Sequence, residues 1–74
     1  MRVKFELLNI QEYSLGSADV STSFGDTDSI KMALRAIGHL YSECRWITYS
    51  IWDEFHSNSL CTGKMYILPW EEVS

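Results

Sequence analysis

The residue types closest to acid–base chemistry lie together in one short stretch, at Asp53, Glu54 and His56. A carboxylate beside a histidine can transfer protons in catalysis. Here the three residues follow an aromatic, strand-like stretch and belong to a polar segment typical of a hairpin turn. The sequence has no phosphate-binding glycine loop, Gly-x-Ser-x-Gly elbow or His-Glu-x-x-His motif to accompany them. We therefore predict a solvated turn at this position and a protein that is not an enzyme.

Two histidines and two cysteines form pairs with four residues between the members of each, His39 with Cys44 and His56 with Cys61. Zinc accepts two cysteines and two histidines, but its usual sites contain a closely spaced Cys–Cys or His–His pair, which this sequence lacks. Two cysteines are also fewer than a disulfide scaffold of this size uses. We predict that Cys44 and Cys61 are reduced, semi-buried thiols and that the protein holds no metal and no cofactor. A metal-dependent module that uses these two thiols is the third of our functional hypotheses.

Hydrophobic periodicity predicts the strands that must position these residues. Val3, Phe5 and Leu7 alternate with charged residues, which is typical of a half-buried strand, and Leu8 then falls on the opposite side, which indicates a bulge or a strand end. Pro69 ends the last strand because proline cannot extend a ladder. The predicted strands cover 2–10, 18–24, 45–53 and 60–68, with loops at 11–17 and 55–59 and a left-handed conformation at Asn58.

A helix is predicted over residues 29–43. The preceding segment 25–29 is a start signal, because Asp26, Thr27 or Asp28 can accept hydrogen bonds from the first helical amides. Gly38 costs about 1 kcal/mol relative to alanine inside a helix, so it either allows a close approach to the sheet or lets the helix end fray. The apolar residues follow the spacing of one buried stripe: Ile30, Ala33, Leu34, Ile37, Leu40 and Tyr41.

These elements predict a single α+β domain over residues 1–74, in the order β-β-α-β-β. Two hairpins flank one helix, which packs on one face of an antiparallel sheet. The predicted core combines the helix stripe with Val3, Phe5, Leu7, Val20, Phe24, Ile47, Tyr49, Ile51, Cys61, Met65 and Ile67. The opposite face then carries Trp46, Thr48, Ser50, Trp52, Thr62, Lys64 and Tyr66.

The aromatic residues of that opposite face are the candidate binding site. A large exposed apolar patch usually marks an interface, and Trp and Tyr dominate interface hot spots. The predicted partner-binding residues are Trp46, Trp52, Tyr66 and Lys64, rimmed by Asp53 and Glu54. Two alternatives remain: the other face of the sheet is the inward one, or the 11–17 loop and the Trp70 tail, tucked back with Glu71 and Glu72 in solvent, cover these rings. Base stacking on the rings, in a single-stranded nucleic-acid binder, is the less favoured reading of the same residues.

The charge balance argues against nucleic-acid and membrane partners. The chain carries 10 acidic and 6 basic residues, a formal net charge of −4, whereas phosphate binding depends on Lys and Arg. No apolar run reaches the roughly 20 residues that span a bilayer. Glu6, Asn9 and Gln11 interrupt any apolar signal sequence near the N-terminus. We therefore expect a cytoplasmic protein without membrane contact.

In size, acidity, element order and the lack of an active site, the chain resembles small acidic inhibitor proteins encoded by bacteriophages. This resemblance implies a protein that binds and blocks a host machine, such as a polymerase or a CRISPR effector, in the host cytoplasm. Our leading hypothesis is therefore a non-enzymatic protein-interaction domain that inhibits a larger nucleic-acid-handling host or defence complex. The second hypothesis is a homodimer whose open sheet faces pack together, with its function elsewhere.

Overall fold

The computed structural model describes residues 1–69 as one four-stranded antiparallel sheet with one helix. The elements in chain order are β1 (Arg2–Leu8), β2 (Ser14–Ser21), α1 (Thr27–His39), β3 (Trp46–Asp53) and β4 (Asn58–Tyr66). The strands lie in the order β2-β1-β3-β4, so β1 and β3 are central and each hairpin contributes one edge. The predicted α+β fold and its β-β-α-β-β order are confirmed. The expected positions of Trp70, Glu71 and Glu72 fall outside the described residues.

The core lies between α1 and the inward side of the sheet, and its buried strand residues come from β1 and β3. In the β1–β3 pairing, Val3 is opposite Ile51 and Leu7 is opposite Ile47, which gives two apolar cross-strand pairs on the inward side of the sheet. Full burial of one such side chain contributes about 1.5–3 kcal/mol. The core cluster consists of Val3, Leu7, Ile30, Leu34, Cys44, Ile47, Ile51 and Ile67, and the partly buried Phe5, Ile37, Tyr49, Cys61 and Met65 pack against it.

The helix approaches the sheet most closely at Gly38. Ile30, Leu34 and Gly38, each four residues from the next, are the buried positions of α1. A Cβ atom at Gly38 would lie 2.8 Å from Cγ1 of Ile67 and 3.0 Å from Cδ1 of Ile47. Of the two roles predicted for this glycine, the structure shows the close approach, because the missing side chain leaves room for the two isoleucines.

The second strand differs from its predicted bounds, and the edge of the sheet is less covered than expected. β2 begins at Ser14, inside the predicted 11–17 loop, because Gly16 and its neighbours pair with β1. Gly16 adopts φ 151°, which only glycine adopts readily. Val20 and Phe24, predicted as core, are 45% and 46% exposed. Both predictions were wrong because α1 lies over β3 and β4, toward the opposite edge of the sheet from β2.

The helix begins and ends earlier than predicted. Its last residue is His39, and Leu40 is 80% exposed, so Leu40 and Tyr41 do not belong to the buried stripe. The last turn tightens there, since the Leu40 amide donates to the Ile37 carbonyl at 3.0 Å. At the other end, Asp26 occupies the N-cap position without a side-chain capping hydrogen bond, so the predicted cap oxygen is not used.

Each edge strand contains an irregularity. The pairing shifts between Leu7 and Leu8, where a bulge or a strand end was predicted; β1 ends at Leu8, and the extra residue is Leu15 on β2. A second shift leaves Leu60 as the extra residue on β4. Bulges of this kind hinder edge-to-edge association of sheets. β4 also starts earlier than predicted, and the left-handed residue of its turn is Ser57 (φ 56°) instead of Asn58.

We expect Gly38→Ala to destabilise the protein, although alanine is the better helix former. The added methyl group would lie 2.8 Å from Cγ1 of Ile67, so this buried side chain would have to shift. Overpacking of this kind costs about 1–3 kcal/mol in the free energy of unfolding, measured by urea denaturation. Gly25→Ala is the matched control, because a Cβ atom there meets no atom within 4 Å. A Gly38→Ala variant as stable as the wild type would contradict the close approach.

Candidate functional site

The candidate site is the side of the sheet that faces away from α1, which we call the open face. Because side chains alternate along a strand, the observed registers place every second residue on this side. The central strands contribute Arg2, Lys4, Glu6, Leu8, Trp46, Thr48, Ser50 and Trp52. The edges contribute Ser17, Asp19, Ser21, Ser59, Thr62, Lys64 and Tyr66. The registers therefore place all seven residues predicted for this face on the same side of the sheet.

One end of the open face carries an aromatic cluster, which we call the Trp46 cluster. The rings of Trp46 and Tyr66 meet edge to face, with centroids 5.0 Å apart and planes at 72°. The ammonium group of Lys64 lies 4.6 Å from the centre of the Trp46 ring and also pairs with the Glu12 carboxylate. Leu8, directly opposite Trp46 in the ladder, is buried on this side. Trp46 is therefore partly covered by its neighbours, and Tyr66 remains 42% exposed.

A compact turn between β1 and β2 positions Glu12. The Asn9 side chain accepts a hydrogen bond from the Tyr13 amide at 2.9 Å, and the Asn9 carbonyl accepts one from the Glu12 amide at 2.8 Å. Glu12 itself has the left-handed φ of 68°. Sequence reasoning missed Glu12 as a site residue, although an asparagine before a short turn was an available signal. The turn that holds Glu12 lies partly in the predicted 11–17 loop, and the Glu12–Lys64 pair joins this loop to the Trp46 cluster.

The other end of the open face is built around Trp52. Trp52 lies six residues beyond Trp46 on the same strand, which corresponds to about 20 Å. Arg2 is directly opposite Trp52 on β1, and its Nε donates to Asp19 at 2.9 Å. The hydroxyl of Ser21 donates to the Glu54 carboxylate at 2.7 Å. Trp52 is therefore a half-buried ring beside the Arg2–Asp19 and Ser21–Glu54 contacts, and it is well separated from the Trp46 cluster.

The middle of the open face is polar. A shallow groove of about 660 Å³ lies between the two ends, and its lining residues are Lys4, Phe5, Glu6, Ser17, Ala18, Asp19, Thr48, Tyr49 and Ser50. The hydrogen bond from Arg2 lowers the pKa of Asp19, so this carboxylate stays charged across the neutral range. The predicted aromatic patch is thus two separate aromatic sites, and Lys4, Glu6, Thr48 and Ser50 lie between them on the open face.

The contacts of Asp53 are with the hairpin turn between β3 and β4. Its carboxylate accepts a hydrogen bond from the Phe55 amide at 2.9 Å and lies 2.7 Å from Nδ1 of His56. The hydrogen bond with His56 lowers the pKa of Asp53. Alternation places Asp53 on the opposite side of β3 from Trp52, whereas Glu54 reaches back to Ser21 at the β2 edge. Of the two predicted rim residues, Glu54 therefore lies beside the open face.

The two cysteines differ in environment. Cys44 is among the most buried side chains of the core, and burial raises the pKa of its thiol. Cys61 is half-buried on β4 opposite Ile51, and both thiols are free. Across residues 1–69, no three His, Cys, Asp or Glu side chains come together in a way that could hold a metal ion. The described part of the chain thus offers no ligand group for the metal-dependent hypothesis.

Comparisons with known proteins give no relative. No protein-family model matches the chain, and neither a curated protein nor a solved structure matches it. Within residues 1–69, α1 is not long and apolar enough to cross a membrane. Function must therefore be argued from the residues of this chain.

The Asp53–His56 contact predicts acid-sensitive stability. Because the pKa of Asp53 is lower in the folded protein, its contribution is complete above the unfolded-state pKa of about 4. That contribution is lost as the pH falls from about 4 through the lowered folded-state pKa. In Asp53→Asn, the amide oxygen can still accept from the Phe55 amide, but the charge is gone. We expect a shallower loss of stability below pH 4 in this variant, measured as the urea midpoint from pH 7 to 2.

The matched control is Glu43→Gln, which removes a carboxylate from the exposed turn after α1. This control should retain the acid dependence of the wild type. If Asp53→Asn shows the same loss as the wild type below pH 4, the turn contact does not stabilise the charged carboxylate.

Proposed function

We propose that this protein is a non-enzymatic protein-interaction domain that binds a protein partner through its open face. The observation that carries the proposal is the position of Trp46, Trp52 and Tyr66 on the side of the sheet away from α1, with each ring at least partly exposed. Exposed Trp and Tyr in fixed positions are the residue types that contribute most to protein interfaces.

The Trp46 cluster supports this proposal because its side chains are held in place before any partner arrives. Tyr66 and Lys64 both contact the Trp46 ring, and Glu12 fixes the Lys64 ammonium group. Immobilising a flexible side chain on binding costs about 0.5–1.5 kcal/mol, and a preorganised cluster avoids much of that cost. The exposed edge of Tyr66 is the part of this cluster best placed to contact a partner.

The ion pairs of the open face favour a protein partner over a single-stranded nucleic acid. Arg2 pairs with Asp19, and Lys64 pairs with Glu12, so two of the three cations on the open face, which are Arg2, Lys4 and Lys64, already have carboxylate partners. A nucleic-acid site needs cations that can neutralise phosphates along the strand. A protein interface instead uses such paired charges as a polar rim around aromatic anchors.

The chemistry of the partner follows from the net charge. An acidic domain with a charge of −4 associates most readily with a basic surface, because complementary charge steers the encounter. Basic surfaces are typical of assemblies that handle nucleic acids. Together with the resemblance to small acidic phage inhibitors, this supports an inhibitor of such a host or defence complex, acting in the host cytoplasm.

Trp52→Ala should weaken partner binding at least tenfold while the variant still folds. Trp52 is a half-buried ring away from the core cluster, so its loss removes an anchor without opening the core. Partners captured from extracts of the native host would be compared between wild type and variant, and the affinity would then be measured with the purified partner. Phe55→Ala is the control, because Phe55 is an exposed aromatic residue in the nearby turn. Equal affinity for wild type and Trp52→Ala would remove this end of the open face from the interface.

We expect the protein to be a monomer at micromolar concentration, with its open face available to a different protein. Sedimentation velocity measures this directly. A stable dimer that dissociates in the Trp52→Ala variant, but not in Phe55→Ala, would instead support the homodimer hypothesis.

A further inference from the structure

The outer edge of β2 ends the sheet with backbone groups that no residue in 1–69 pairs with. Met1 and Thr22 exchange both backbone hydrogen bonds, since the Met1 amino group donates to the Thr22 carbonyl at 2.9 Å and the Thr22 amide donates to the Met1 carbonyl at 2.7 Å. In an antiparallel ladder such pairs alternate with pairs that exchange no bonds. The register therefore turns the amides and carbonyls of the even-numbered β2 residues toward β1, and those of Ser17, Asp19 and Ser21 outward.

This edge is regular enough to accept another strand. The bulge at Leu15 lies near the start of β2, and residues 16–21 pair with β1 without a shift. The charged side chain of β2, Asp19, is drawn toward β1, because its carboxylate accepts hydrogen bonds from Arg2 at 2.9 and 3.3 Å. β2 contains no lysine or proline, which are residues that commonly protect sheet edges. An extended segment can therefore add to the sheet along residues 16–21.

The inward side of this edge favours apolar side chains on the added segment. α1 lies over β3 and β4, which leaves Val20 45% exposed and Ala18 half-buried. The inward-pointing side chains of an added strand would lie beside these two residues, and apolar ones would bury surface there. Because side chains alternate along a strand, every second residue of the segment is expected to be apolar.

The open-face side of the edge favours positive charge on the added segment. Asp19 lies there, and the Glu54 carboxylate reaches the edge by accepting a hydrogen bond from Ser21 at 2.7 Å. The other edge strand, β4, instead carries Lys64. A second copy of the chain would bring a second Asp19 and Glu54 to the same border, and each copy has a net charge of −4, so like charges disfavour that pairing. A basic segment fits the β2 edge better than a second copy does.

We propose that the β2 edge is a docking site for an extended segment of a partner protein in which basic residues alternate with apolar ones. The segment would run antiparallel to β2. Its basic residues would lie opposite Ser17, Asp19 and Ser21 and exchange backbone hydrogen bonds with them. In strand addition of this kind, backbone hydrogen bonds supply affinity and alternate side chains supply specificity. The tryptophan rings take no part in this docking, which does not depend on the function proposed above.

Amide hydrogen exchange tests the docking. The probe is a capped synthetic peptide in which lysine and valine alternate over the length of residues 16–21. In the protein alone we expect slow exchange for the amides of Ala18 and Val20, which face β1, and fast exchange for those of Ser17, Asp19 and Ser21. Peptide at millimolar concentration should slow the exchange of the three outward amides about tenfold or more. Unchanged exchange of these amides overturns the docking.

Two matched pairs test whether the peptide binds by backbone pairing. Ser17→Pro removes an outward N–H that does not bond to β1, and should weaken peptide binding about tenfold or more, whereas Ser17→Ala retains this N–H and should bind like the wild type. N-methylation of the lysine amides of the peptide should abolish binding, and N-methylation of the valine amides should not, because only the lysine amides point at β2. Equal effects of the two methylations overturn the strand addition. This comparison uses the wild-type protein, so it does not depend on the folding of a variant.

A change of charge tests the kind of segment. A peptide with glutamate in place of lysine should bind about tenfold more weakly or worse, because it brings like charges to Asp19 and Glu54. Equal binding of the two peptides would show that the edge does not select basic residues. A stable dimer of the protein alone that dissociates in Ser17→Pro, but not in Ser17→Ala, would assign the edge to a second copy. Either result overturns the proposed occupant.

Discussion

The structure depends on the contact between Gly38 of α1 and two isoleucines, Ile47 of β3 and Ile67 directly after β4. At Gly38 the helix backbone comes close enough to pack directly on Ile47 and Ile67. A chain of 74 residues buries a smaller fraction of its surface than larger domains do, so a close contact of this kind contributes strongly to the core. The same contact fixes where α1 lies, over β3 and β4, and thereby fixes which surfaces remain uncovered.

Three uncovered surfaces follow from that placement. The inward side of β2 lies beyond the helix, which leaves Val20 and Phe24 partly exposed. The open face lies on the other side of the sheet and holds the tryptophans of β3. The third surface is the solvent side of α1 and of the residue that follows it, where Met32 and Leu40 are exposed. A single helix can cover only part of one face of a four-stranded sheet, so a domain with this layout presents apolar residues to other segments or other proteins.

The open face combines apolar anchors with charges that are already paired. Lys64 contacts both the Trp46 ring and Glu12, so one cation joins the aromatic cluster to the turn between β1 and β2. At the other end, the Arg2–Asp19 pair lies beside Trp52. Exposed ion pairs add little to stability, about 0–1 kcal/mol each. In the proposed interface their effect would be on selectivity, because a partner would have to offer polar groups that match these charges around the rings.

The sequence by itself determined the elements, their order and the side of β3 on which the tryptophans lie. Strict alternation at Val3, Phe5 and Leu7 and around Ile47 and Ile51 settles the facing, because a strand turns every second side chain the same way. Tertiary structure decided the rest. Gly16 joined β2 because pairing with β1 outweighs its local preference for a turn, and Leu40 left the buried stripe because α1 ends at His39. The position of α1 over β3 and β4 depends on contacts between residues far apart in the chain. The same holds for the pair between Glu12 and Lys64. No local pattern encodes such contacts, because they depend on how whole elements pack against one another.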